Sequence, residues 1–129
     1  MEMKITFHGG KKVNAEFDGF THKTDQARIS GGEESAPEPF SLFLSSIGTC
    51  AGIYILGFCQ QRAIDTNGME IIQSINFNPS SGMVDKIKMN IILPNDFPDK
   101  YKKAVINSAS LCSVKKHLEN PPQFEIVTS

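Results

Sequence analysis

The residues of this chain best suited to chemistry are three cysteines, Cys50, Cys59 and Cys112. A thiolate, not a thiol, is the nucleophile, so a cysteine becomes reactive where its surroundings let it ionise and let a substrate approach. Cys50 and Cys59 are nine residues apart in one apolar stretch. At about 100° per residue on a helix they stand half a turn from each other and cannot form one site. Cys50 sits within Gly48-Thr49-Cys50-Ala51-Gly52, small residues that leave room beside a thiol for substrate or for the close approach of another helix. Cys59, between Phe58 and Gln60, has no such setting. The ordinary role of a free cysteine is that of a small buried hydrophobe, and spacing alone does not lift any of the three out of it.

Other chemistries find little support. No His, Cys and Asp cluster has zinc spacing, no glycine loop follows a strand in phosphate-binding form, and Ser45-Ser46 lacks a nearby His and Asp set. Neither a metal nor a flavin or nicotinamide cofactor is indicated. The chain has 129 residues, 40% hydrophobic and 21% charged, with a formal net charge of −1. That fits one globular domain, 1–129, and gives no field for drawing in nucleic acid. Three widely spaced cysteines do not make a disulfide framework, and the first residues carry no basic and apolar leader pattern, so a reducing, cytoplasmic setting is expected.

Any reactive cysteine has to be positioned by the elements around it. Met3, Ile5 and Phe7, then Val13, Ala15 and Phe17, alternate on either side of Gly9-Gly10 and predict a β-hairpin. Asp18-Gly19 supplies a further turn, and a third strand is expected through His22 to Ile29. Gly31 to Pro39 reads as a loop. Pro39 suits the start of a helix that runs to about Arg62. Its apolar residues fall on every side, so a helix of roughly 35 Å has to be surrounded by protein. A partner subunit is the natural cover, and a membrane is not expected. Ile71 to Phe77 and Met83 to Leu93 predict a second hairpin. Asp96 is expected to cap a second helix, with Tyr101, Ala104, Val105, Ser108, Leu111, Cys112 and Lys115 at helical spacing, and Phe124 to Val127 to close as an edge strand. His117, offset from Cys112 by about 140° on that helix, reads as a surface side chain.

The segment Ala36-Pro37-Glu38-Pro39-Phe40-Ser41-Leu42-Phe43-Leu44-Ser45-Ser46-Ile47-Gly48-Thr49-Cys50 resembles the motif of the OsmC/Ohr superfamily, in which a proline opens a long central helix and a cysteine follows eleven residues later. Cys112-Ser113-Val114, 62 residues beyond Cys50, is similar to the family's second cysteine, followed by a small residue or proline and then valine. The order of elements agrees over nearly the whole chain. The resemblance implies an α+β fold with antiparallel sheets, a long buried central helix and a second helix, assembled as an intertwined homodimer.

It also implies thiol-dependent reduction of organic hydroperoxides. Cys50 would attack the peroxide and become a sulfenic acid, Cys112 would resolve it as a disulfide, and a dithiol reductant would reopen that bond. Phe43, Ile47 and Tyr54 are expected to line part of the site. The family's reductases pair the first cysteine with an arginine and with a glutamate immediately after the helix-opening proline, a place held here by Phe40. Glu38, before the proline, is the available acid. Arg28 is the preferred cation because a guanidinium stays charged and bonds in two directions, with Lys11 and Lys12 as alternatives. The loss of the glutamate keeps a second reading open: an OsmC-like dimer that binds a small apolar ligand or senses thiol state without fast peroxide turnover.

Overall fold

The N-terminal alternation forms a three-stranded antiparallel sheet in the computed structural model, which describes residues 1–129. Strands β1 (Lys4–Phe7), β2 (Val13–Phe17) and β3 (Phe20–Thr24) lie in the order β1-β2-β3. The two-residue turn between β2 and β3 is Asp18-Gly19, with φ of 48° and 80°, the left-handed pair that matches the twist of the flanking strands. Thus β3 begins earlier than the sequence suggests, and it ends at Thr24 rather than Ile29. The cause is Asp25, whose side chain takes over the next backbone donors. Its carboxylate accepts from the Ser35 hydroxyl at 2.6 Å and from the N–H groups of Gln26, Ser35 and Glu33 at 2.8, 3.1 and 3.3 Å. The chain turns there into a short 3-10 segment, Arg28–Ser30, closed by Gly31 at a φ of 87°.

Asp25 is 1% exposed, yet these donors, the Ser35 hydroxyl first, hold its carboxyl at about 2, down from an ordinary 3.8. A carboxylate with a depressed folded-state pKa stabilises the fold above its unfolded value and loses that contribution as pH falls through the folded one. Asp25→Asn is therefore expected to lower the melting temperature at neutral pH. The difference from the native chain should shrink between about pH 4 and pH 2, as thermal melts across that range would show.

The chain divides into two compact units, Met1–Ser45 and Ser46–Ser129. Helix α1 (Pro39–Gln60) spans their boundary; within it Ile47, Ala51, Ile55 and Cys59 are buried, an unbroken i, i+4 stripe. The all-round burial expected of this helix is not met within one chain, since Phe40, Phe43 and Ile53 are exposed. By length and composition α1 would also suffice to cross a membrane.

In the second unit, β4 (Glu70–Phe77) and β5 (Val84–Ile92) form the predicted antiparallel hairpin, with Ile71 opposite Ile91, Gln73 opposite Met89 and Ile75 opposite Ile87 on the partly buried face. Gly48 lets α1 approach this hairpin, because a Cβ there would stand 2.5 Å from the Gln73 side-chain oxygen. Ile55, Cys59, Phe97 and Val105 make the core, with Phe58, Ile64, Leu93 and Tyr101 packed against it.

The end of α1 carries a strained residue. Ala63 adopts a φ of 53° while its N–H donates to the Gln60 carbonyl at 3.3 Å and the Ile64 N–H to the Cys59 carbonyl at 2.9 Å. That is a Schellman closure, which glycine makes without steric cost. Ala63→Gly should therefore raise stability by about 1 kcal/mol, measurable by urea unfolding, and a decrease would contradict this account.

Two expectations fail beyond β5. The single second helix is divided into a 3-10 turn (Asp99–Tyr101), α2 (Lys102–Ala109) and α3 (Ser113–Glu119), and Pro98 rather than Asp96 precedes the first of them. In addition, Phe124 to Val127 form no strand. Phe124, Ile126 and Val127 are 87%, 93% and 78% exposed and pair with neither β4 nor β5, and β propensity alone does not make a strand.

Candidate functional site

The break between α2 and α3 is what builds the site. Ser108 and Ser110 turn their hydroxyls back onto the carbonyls of Val105 and Ile106, at 2.8 and 3.2 Å, competing with the helical ladder. The helix stops at Ala109 and restarts after Cys112, which has φ −47° and ψ 125° and is the N-cap of α3. Its sulfur takes the part usually played by a serine or aspartate oxygen, accepting the Lys115 N–H at 3.5 Å. Cys112 is fully buried, and its thiol donates to the Ile47 carbonyl of α1 at 3.8 Å. Ile47 lies one turn ahead of Cys50 on α1, so that contact sets Cys112 beside Cys50.

The two thiols, both free, act on each other, and their environments move them in opposite directions. Cys50 is lowered below an ordinary thiol. The Val114 N–H contributes most, and the Cys112 thiol and the Ser113 N–H add to it against the opposing effect of burial. These N–H groups belong to the first turn of α3, where backbone donors have no partner within the helix and the dipole favours negative charge. Cys112 is raised, mainly by burial and further by its neighbour Cys50. Of the two thiols, Cys50 is therefore the one that ionises more readily. Cys59 is fully buried and raised by that burial, away from any such donor.

Cys50 opens onto a groove of about 600 Å³ whose walls include Tyr54, Gly57, Phe58, Leu111 and Arg62. Tyr54 is one turn beyond Cys50, and its hydroxyl is hydrogen-bonded to that of Ser113 at 3.0 Å, pinning α1 to the start of α3. Of the three expected lining residues, Tyr54 borders this groove, Ile47 contributes its carbonyl to Cys112, and Phe43 stacks on Phe40 with ring centres 5.5 Å apart.

Arg28 and Glu38 belong to the N-terminal unit, where each has a partner. Arg28 is exposed and pairs with Glu34 at 3.7 Å; Glu38 accepts the Ala27 N–H at 3.2 Å. Lys12 pairs with Glu33 at 2.6 Å. His117 is exposed, its ring Nδ1 2.7 Å from the Ser113 carbonyl. The groups that sequence reasoning missed are the backbone N–H groups of Ser113 and Val114. Their signal was the Asn107-Ser108-Ala109-Ser110 run, whose side chains favour a helix end over a helix interior.

The sequence model of a family described as OsmC-like protein matches residues 31–127. No curated protein matches. Among solved structures, one from Psychrobacter arcticus, described as a candidate osmotic stress induced and detoxification response protein, superposes with a TM-score of 0.76 at 22% identity, covering 88% of this chain and 85% of that one. The organic hydroperoxide resistance protein OhrB of Bacillus subtilis gives 0.55 at 20% identity over 94% of this chain and 93% of its own. An organic hydroperoxide resistance protein OsmC from Legionella pneumophila gives 0.54 at 21%, covering 92% and 89%. At these identities the structures speak for the fold.

Proposed function

Since the chain belongs to the OsmC-like family, whose members include organic hydroperoxide resistance proteins and which supports a redox, stress-related role, we propose that it reduces organic hydroperoxides through Cys50 and Cys112. The observation that carries this reading is the opposite displacement of two interacting thiols, Cys50 lowered and Cys112 raised, with Cys112 held to the carbonyl of Ile47 one turn ahead of Cys50. The Cys50 thiolate attacks the distal oxygen of the peroxide. The S–O bond forms as the O–O bond breaks, sulfur receives the hydroxyl as a sulfenic acid, and the alkoxide leaves as alcohol after taking a proton. Cys112 then attacks the sulfenic sulfur, its proton leaving with the displaced hydroxide as water, and a disulfide results. A dithiol reductant returns both thiols and is itself oxidised to a disulfide.

Stabilisation of the Cys50 thiolate is assigned to the N–H groups of Val114 and Ser113, with Arg28 and Glu38 as the N-terminal unit's candidates for the family's charged pair. The match across 31–127 runs over the boundary between the two units and supports treating them as one domain. The exposed Phe43 and Ile53 of α1 support a homodimer that covers the helix. The test is turnover of cumene hydroperoxide with dithiothreitol. Sustained consumption at one dithiol per peroxide is expected, and a rate no greater than that without protein would contradict the reading.

A further inference from the structure

We propose that Tyr54 is a positioning residue for Cys50: through its hydrogen bond to Ser113 it holds the first turn of α3 against α1, so that the backbone donors of that turn stay on the Cys50 sulfur. This deepens the peroxidase reading, on which it rests for its effect on turnover, by naming what keeps those donors in place. Cys50 stands on α1 between two residues that reach across to the junction of α2 and α3. Ile47, three residues before it, accepts the Cys112 thiol on its carbonyl at 3.8 Å, and Tyr54, four residues after it, is bonded to the Ser113 hydroxyl at 3.0 Å. Residues at i−3 and i+4 share a helix face with residue i, so the two tethers bracket Cys50 on the side that meets α3. Their far ends are successive residues, Cys112 as the N-cap of α3 and Ser113 as its first residue.

The two tethers are unequal. A thiol is a weak donor, whereas a pair of hydroxyls 3.0 Å apart makes an ordinary hydrogen bond. They also fare differently in the reaction. Cys112 gives up its proton when it attacks the sulfenic acid, and a sulfur without that proton no longer donates to the Ile47 carbonyl. The bond between Tyr54 and Ser113 contains no sulfur and is carried through the cycle unchanged. It is therefore the contact that keeps Cys112, one residue before Ser113, within reach of Cys50 while the disulfide forms. The groups it holds are the Val114 N–H, which acts most strongly on Cys50, and the Ser113 N–H; with the Cys112 thiol these make up what lowers Cys50, and no charged side chain is among them. Lys115, whose N–H goes to the Cys112 sulfur, pairs its ammonium with Glu119 at 3.6 Å.

Ionisation of Cys50 is followed across pH by the ultraviolet absorbance of its thiolate, with the Cys50→Ser form of each variant as the blank. Tyr54→Phe removes one hydroxyl and keeps the ring; Ser113→Ala removes the other and keeps the backbone N–H. Each should raise the midpoint by about half a unit to one unit, the hold of one ordinary hydrogen bond. The double variant should raise it no further, because the two hydroxyls act as one contact. Ser113→Thr, which keeps a hydroxyl, should stay near the native midpoint. A Tyr54 that only packed on α1 would lower the melting temperature without moving the midpoint. In turnover, the sulfenic acid of Tyr54→Phe should outlive the native one and be trapped by a 1,3-diketone in several-fold higher yield. Unchanged midpoints in both single variants would overturn the role of Tyr54 and leave the peroxidase reading standing. Raised midpoints that do not add, in a chain that consumes no peroxide, would uphold the role of Tyr54 and contradict that reading.

Discussion

Cys50→Ser is expected to reduce hydroperoxide consumption to the rate seen without protein. Cys50 is the thiol lowered by the Val114 and Ser113 N–H groups, so it ionises more readily than an ordinary thiol and is the better nucleophile. A serine hydroxyl at the same place is hydrogen-bonded but not deprotonated, and it does not attack an O–O bond. Neither remaining cysteine substitutes, because Cys59 and Cys112 are both fully buried and both raised by that burial. The same asymmetry has a pH signature. Alkylation of Cys50 by iodoacetamide should rise with pH and level off at a midpoint below that of an ordinary thiol, whereas Cys59 and Cys112 should react only above it. If the Cys50→Ser protein consumes cumene hydroperoxide as fast as the native chain, the attack has been assigned to the wrong atom.

Cys112→Ser is expected to leave attack intact and to remove resolution. The variant is expected to consume one peroxide per chain, with a burst comparable to that of the native protein, and then to stop. A sulfenic acid on Cys50 should be trapped by a 1,3-diketone and found in the Cys50 peptide by mass spectrometry. Folding should survive, since serine is a preferred N-cap and can accept the Lys115 N–H that the sulfur accepts now. The substitution also replaces one donor to Cys50 by another, so the thiolate keeps the Val114 and Ser113 N–H groups as its main support. Multiple turnovers at the native rate in this variant would show that an external thiol resolves the sulfenic acid and that Cys112 has a packing role.

The elements with strong local patterns were legible in the sequence. Alternation at Met3, Ile5 and Phe7 became β1 and its hairpin, Pro39 opened α1, and the Ile87, Met89 and Ile91 alternation became β5. Two positions escaped because their conformation is decided by distant groups. Asp25 ends β3 by collecting donors from as far along the chain as Ser35, which residue spacing does not announce. Cys112 lies at helical spacing with its neighbours, but serine hydroxyls and the Ile47 carbonyl of α1 draw it out of the helix and make it a cap. Phe124 to Val127 has the composition of a strand but pairs with neither β4 nor β5. For the site, the two cysteines were legible through their motifs. The groups that lower Cys50 include the backbone dipoles of Val114 and Ser113, which carry no letter in the sequence.

One measurement bears most directly on the pairing of Cys50 with Cys112. The reduced chain is treated with a single equivalent of cumene hydroperoxide, free thiols are counted, and the cysteine peptides are mapped without reduction. The account predicts that two of the three thiols disappear and that Cys50 is found joined to Cys112 within one chain, with Cys59 still free. Three intact thiols, or a disulfide that includes Cys59, would contradict it.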